Sequence, residues 1–158
     1  MANRILATII LVALWAASSP GEVAAQDDDQ AAIVKILEAL AQYSQDGRLE
    51  AIDTLYAPGR GVHIIEGAGV NHGWEDYRDH HLAPEMENFE NLEYSYSAIE
   101  PQVRGDVAWS SFRYELSVDT PGGHTEIEGR GTAVLEKMDG RWQIVHIHTS
   151  GRPKRDGG

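Results

Sequence analysis

Histidine is the residue type here best suited to chemistry. Seven occur in 158 residues, and imidazole both transfers protons near neutral pH and ligates transition metals. Two of them, His146 and His148, end the run RWQIVHIHTS at residues 141–150. That run reads as a strand, rich in β-branched and aromatic residues and preceded by the turn signal Asp139-Gly140. Strict alternation puts Trp142, Ile144, His146 and His148 on one face and Val145 and Ile147 on the other. His63 falls on a short strand at 62–66. His81 lies with Trp74 and Tyr77 on one stripe of a helix that begins near residue 74.

These elements are expected to surround one cavity, and three readings of it compete. In the first-ranked, an apolar pocket binds an organic ligand, with His146, His148, His81 and Tyr77 as candidate acid–base groups. His63, Trp74, Tyr114 and Trp142 are its candidate ligand-binding residues, with Trp142 at the apolar depth and Arg113 as a further polar candidate. No cofactor is expected on this reading. The second is a divalent transition metal held by His63, His81, His146 and His148, with Glu66 or Glu85 as a carboxylate ligand. The third is a set of structural histidines satisfied by backbone or carboxylates. His72, His80 and His124 are expected in solvent, and Trp74, Trp109 and Trp142 in the core.

Composition removes several classes. The formal charge of −12 argues against a nucleic-acid partner. With no cysteine there is no disulfide, thiolate nucleophile or iron–sulfur cluster. No phosphate loop, nucleophile elbow or HExxH pattern occurs. At the N-terminus, Arg4, an apolar run at 5–15 and small residues up to Val23-Ala24-Ala25 read as a signal peptide, 1–25, cleaved before Gln26. The expected destination is periplasmic or secreted, with no membrane association after cleavage.

The elements that must position the histidines follow from periodicity. Residues 27–45 carry a helical stripe, Ile33, Ile36, Leu37, Leu40 and Tyr43, with Asp27–Asp29 at the favourable end of the dipole. Asp46-Gly47 stops it, and a second helix spans about 48–56. A short strand and a turn at 67–73 lead to the third helix, with a kink expected at Pro84. The period then switches to two: 92–103, 106–118, 124–138 and 141–150 are four long strands joined by hairpin-length breaks. Gly129 and Gly131 signal a bulge or the close approach of a neighbour. The fold class is α+β, a curved antiparallel sheet of four long strands plus a short one, packed on three N-terminal helices.

Three stretches resemble the NTF2-like superfamily and its SnoaL-like branch, which includes polyketide cyclases and relatives of the ketosteroid isomerases. They are Asp46-Gly47-Arg48-Leu49-Glu50-Ala51-Ile52, Gly73-Trp74-Glu75-Asp76-Tyr77-Arg78, and the terminal strand from Gly140 through His148. The resemblance implies a cone-shaped domain at 26–152 with a flexible tail at 153–158, a small-molecule ligand and a homodimer. The convex sheet face, with for example Trp109, Arg113 and Glu115, is large enough for a two-fold contact, and the sequence does not fix which face is used. Registered on Gly47, Leu40 and Ile64 stand where ketosteroid isomerases keep an oxyanion-hole tyrosine and a general-base aspartate. Steroid isomerisation by that mechanism is therefore not expected.

Overall fold

The structure is a computed structural model and describes residues 20–59 and 61–154. Most of the inferred signal peptide, residues 1–19, lies outside the described residues, as do 155–158 of the tail. Among the described residues no helix is long and apolar enough to cross a membrane.

Helix α1 runs Pro20–Gln45, so Asp27–Asp29 sit within it rather than at its N-terminal end. Ile33, Leu37 and Leu40 are buried, and Ile36 and Tyr43 pack against the same core, as the stripe requires. Helix α2 is a single turn, Leu49–Ile52. Strands β1 (His63–Glu66) and β2 (Gly69–His72) form a small hairpin; β2 occupies what reads in sequence as a turn. Next come α3 (Trp74–Tyr77), one wide π-type turn at Arg78–Leu82 and α4 (Ala83–Met86). The widened turn stands just before Pro84, which has no N–H to give to a regular helical ladder.

Four long strands follow: β3 (Glu90–Arg104), β4 (Val107–Thr120), β5 (Gly123–Met138) and β6 (Arg141–Pro153). The sheet order is β2-β1-β6-β5-β4-β3. β1 runs parallel to β6, and the other neighbours are antiparallel. The sheet is curved and unclosed, and the helices pack on it to make an α+β cone.

Two bulges decide which side chains face inward. In β3 the ladder shifts between Ser97 and Glu100, where Ala98 has φ 48°. Before it Tyr94 and Tyr96 point inward; after it Ile99 and Val103 do. In β6, Leu135 pairs with Ile144 and Val134 with His146, which leaves Val145 as an extra residue.

The β6 bulge falls where the strand changes neighbours. Ile144 exchanges backbone hydrogen bonds with Leu55 and Ala57, at 2.8 and 3.0 Å, while from His146 onward the neighbour is β1. The inward set of β6 is therefore Trp142, Ile144, Ile147 and Thr149, all buried. His146 and His148 consequently lie on the outer face, against the simple alternation.

Gly129 and Gly131 mark close approach, with the β4–β5 register continuous through both. A Cβ at Gly131 would collide with the Phe112 ring, and one at Gly129 with the Tyr114 ring. The two glycines let aromatic side chains of β4 lie flat over β5.

Candidate functional site

Inside the cone is a cavity of about 280 Å³. α1 contributes Leu40, β1 gives Ile64 and Glu66, α3 gives Trp74 and Tyr77, and β3 gives Leu92, Tyr94 and Tyr96. Leu116, Val118, Ile127 and Ile147 complete a largely apolar wall. Its volume falls just below the usual range of ligand pockets, about 300 to 1,000 Å³, and so fits only a small molecule.

The polar groups are few and converge on one carboxylate. Glu66 points inward from β1, two residues beyond Ile64 on the same face. His81 Nε2 lies 3.1 Å from Glu66 Oε2 and 3.3 Å from Glu85 Oε1. The His81 ring packs 4.9 Å from that of Tyr77, and the Tyr77 hydroxyl lies close enough to Glu66 to favour its ionised form. Burial pushes the Glu66 carboxyl above the ordinary glutamate range; His81 and Tyr77 pull it back down, and the nearby Glu85 pushes it up. A raised carboxyl brings a general base closer to neutral pH.

Elsewhere on the wall, Tyr94 and Tyr96 share a hydrogen bond between hydroxyls, 3.1 Å apart. One hydroxyl donates to the other, so one proton remains for a ligand oxygen. Burial raises both phenols well above their ordinary value, as it does Tyr56 and Tyr77. All four stay protonated donors across the physiological range.

The wall is held rigidly. The Tyr56 and Trp74 rings stack at 4.8 Å and 5°. Trp74 Nε1 donates to Asp53, and Arg78 donates from one guanidinium nitrogen to both Asp53 oxygens, at 2.9 and 3.1 Å. These contacts tie the end of α2 to the start of α3 and so fix Tyr77 and His81.

The structure brings together only part of the set read from sequence. Tyr77 and Trp74 line the cavity, and His81 touches two of its carboxylates. Three residues expected inside, His63, His146 and His148, lie on the outer face: the bulge at Val145 shifts the phase of β6, and His63 alternates with the inward Ile64 on β1. Trp142 is buried at the β5–β6 turn instead of in the cavity: its Nε1 donates to Asp29 at 2.9 Å, and Lys137 lies over its ring. Tyr114 covers Gly129 and Gly151, with its ring 6.0 Å from that of Tyr94. Arg113 points out to solvent, and Trp109 is 41% exposed rather than in the core. His72, His80 and His124 are exposed, as expected.

The histidine set expected to hold a metal is divided by the sheet, with His81 inside and the others outside. Among the described residues no group of three or more ligating side chains is arranged to hold a metal ion. The residues that sequence reasoning missed are Glu66 as the centre of the site and the Tyr94–Tyr96 pair. The signal was available: Glu66 shares a face with Ile64, and Leu92, Tyr94 and Tyr96 alternate along β3.

Comparison with known proteins agrees with the architecture. A superfamily protein of the nuclear transport factor 2 type from Salmonella enterica superposes with a TM-score of 0.74 at 20% identity, over 83% of this chain and 95% of that one. A candidate ketosteroid isomerase from Shewanella frigidimarina gives 0.63 at 25% identity, over 73% and 92%. The CaMKII hub of S. rosetta gives 0.65 at 19% identity, over 77% and 95%. A comparison with curated proteins gives no match. The family model for the SnoaL-like domain matches residues 33–153, the span that carries the cone and its cavity, and the chain belongs to the SnoaL-like family.

Proposed function

We propose that the cavity binds a small, largely apolar organic molecule carrying a carbonyl or hydroxyl oxygen, and that Glu66, with His81, performs acid–base chemistry on it. The observation that carries this reading is the Glu66 carboxylate, raised by burial and held against His81 and Tyr77 on a largely apolar wall. Glu66 would take a proton from the carbon beside the carbonyl. The C–H electron pair moves onto the carbonyl oxygen, and a hydroxyl of the Tyr94–Tyr96 pair hydrogen-bonds the charge that develops there. Returning the proton to another carbon would give an isomerisation; delivering it to a hydroxyl on the β-carbon, which leaves as water as the enolate collapses to the enone, would give a dehydration. The candidate isomerase among the similar structures favours this class. The base differs in place, since Ile64 occupies the aspartate position and Glu66 stands one inward position further along.

The test is hydrogen–deuterium exchange of a panel of small cyclic ketones and enones in D₂O, followed by NMR. Protein-dependent exchange that disappears in Glu66→Gln, with binding retained, is the expected result. Binding without exchange would reduce the protein to a carrier. Failure of every panel member to bind would remove the reading.

We also propose export with cleavage after Ala25, and a homodimer formed through the convex face. There Trp109 and Val107 are exposed side chains, and an isologous contact could cover both. Light scattering on the wild type and on Trp109→Glu tests the dimer. A monomeric wild type at micromolar concentration would exclude it.

A further inference from the structure

The outer face carries a histidine patch that the cavity does not use. His63 of β1 registers beside His146 of β6 on one side and beside His72 of β2 on the other. His148 follows two residues after His146 on the same face, beside Ile65. The His63 and His72 rings meet edge to face, with centroids 4.9 Å apart. Four of the seven histidines thus occupy adjoining positions on three neighbouring strands, and His63, His72 and His148 are exposed.

We propose that His63, His146 and His148 form a surface site for one divalent transition metal ion, with His72 bracing His63. Two histidines at i and i+2 on one strand and a third directly beside the first on the next strand present three imidazoles to one point above the sheet. His63 and His146 lie side by side on parallel neighbouring strands, which stand about 4.7–4.9 Å apart, within reach of a common ion at about 2.0–2.1 Å from each nitrogen. In the structure these rings do not converge on one point, so the site requires side-chain rotation, for which the exposed His63 and His148 have room.

The surroundings select the class of ion. The outward residues beside the patch are Ile65, Val70, Thr132 and Val134, none of which ionises. The nearest charged outward groups on β5 are Arg130 and Glu136, each one outward position beyond Thr132 or Val134. An all-imidazole donor set favours zinc, copper or nickel over magnesium or calcium. The inference is independent of the cavity, because His81 lies on the other side of the sheet.

The experiment is calorimetric titration of tag-free, folded protein with zinc chloride at neutral pH, with circular dichroism on each variant. One zinc per chain is expected. His63→Ala, His146→Ala and His148→Ala should each weaken binding by more than ~100-fold, and His72→Ala by about 10-fold, as outer-shell losses do. His81→Ala and His124→Ala should bind as the wild type. If His146→Ala folds poorly, His146→Gln takes its place. No saturable uptake by the wild type, undiminished binding in the His146→Ala/His148→Ala double variant, or loss of binding in His81→Ala would each overturn the proposal.

Discussion

His81 Nε2 stands 3.1 Å from Glu66 Oε2, a contact that joins the helical wall of the cone to the first strand of its sheet. The same nitrogen lies 3.3 Å from Glu85, so the histidine sits between two carboxylates. Burial displaces the titration of Glu66 upward. Its neighbours pull in opposite directions, and that makes their contributions separable.

His81 lowers the Glu66 carboxyl and Glu85 raises it. Removing them should therefore shift any Glu66-dependent pH profile in opposite senses. With His81→Ala the rising limb should move to higher pH, and with Glu85→Gln to lower pH. Ketone exchange rates measured against pH give both midpoints. Glu66→Gln should cost ~10²–10⁴-fold at all pH values, the usual worth of a general base. Shifts in the same direction would mean that Glu66 is not the titrating group.

Glu66 also links folding to pH. Its folded carboxyl is raised, so the unfolded chain releases this proton first, near the ordinary value of about 4.3. Stability from this group is complete below that value and is lost as pH rises through the folded pKa. Denaturant melts of wild type and Glu66→Gln should show the wild type losing ground to the variant between mildly acidic and neutral pH. A constant difference would contradict the assignment.

Asp29 behaves in the opposite way. Burial pushes its carboxyl up, but hydrogen bonds from Lys137 and Trp142 outweigh that and hold it below the usual range. Both donors reach the same oxygen, Oδ1, at 2.7 and 2.9 Å. Stability from Asp29 is present above the unfolded aspartate pKa and is lost as pH falls through the folded one. Asp29→Asn should cost about 1.5–3 kcal/mol at neutral pH, the scale of hydrogen bonds to a charged group. The deficit should vanish in acid, and thermal melts at both pH values check it.

Gly131→Ala probes the cone's curvature. The added methyl would meet the Phe112 ring, which itself stacks on Tyr96 at 4.3 Å. Overpacking of this kind costs about 1–3 kcal/mol. Phe112→Leu in the same chain should recover part of the loss, because the shorter side chain vacates that space. Two equal, additive losses would place the strain elsewhere.

Most of the fold was legible because it rests on period. The α1 stripe and the four long strands are repeated patterns, and repetition survives local exceptions. The site was less legible because it depends on phase, which one residue can reverse. Alternation from Trp142 carries His146 and His148 inward; the extra residue Val145 carries them outward. Nothing in residues 141–150 announces that bulge. Its cause is tertiary: the neighbour of β6 changes there from the segment at Leu55 and Ala57 to β1. Glu66 needed no such knowledge, only the inward phase of Ile64.

The bulge makes a last prediction possible. Without Val145 the strand would alternate regularly: Trp142, Ile144, Ile147 and Thr149 inward, Gln143, His146 and His148 outward. That is the arrangement the bulged strand already has. Deleting Val145 should therefore leave a folded protein, weakened by about 0.5–3 kcal/mol through lost bend and packing. Deleting Ile147 removes an inward residue and leaves the bulge in place. His148 then turns toward the cavity and Thr149 away from it. That loss should exceed about 4 kcal/mol, since it puts an imidazole into an apolar wall. Chemical denaturation of the two deletion variants decides the matter: equal losses, or an unfolded Val145 deletion, would mean that the bulge is required by the fold.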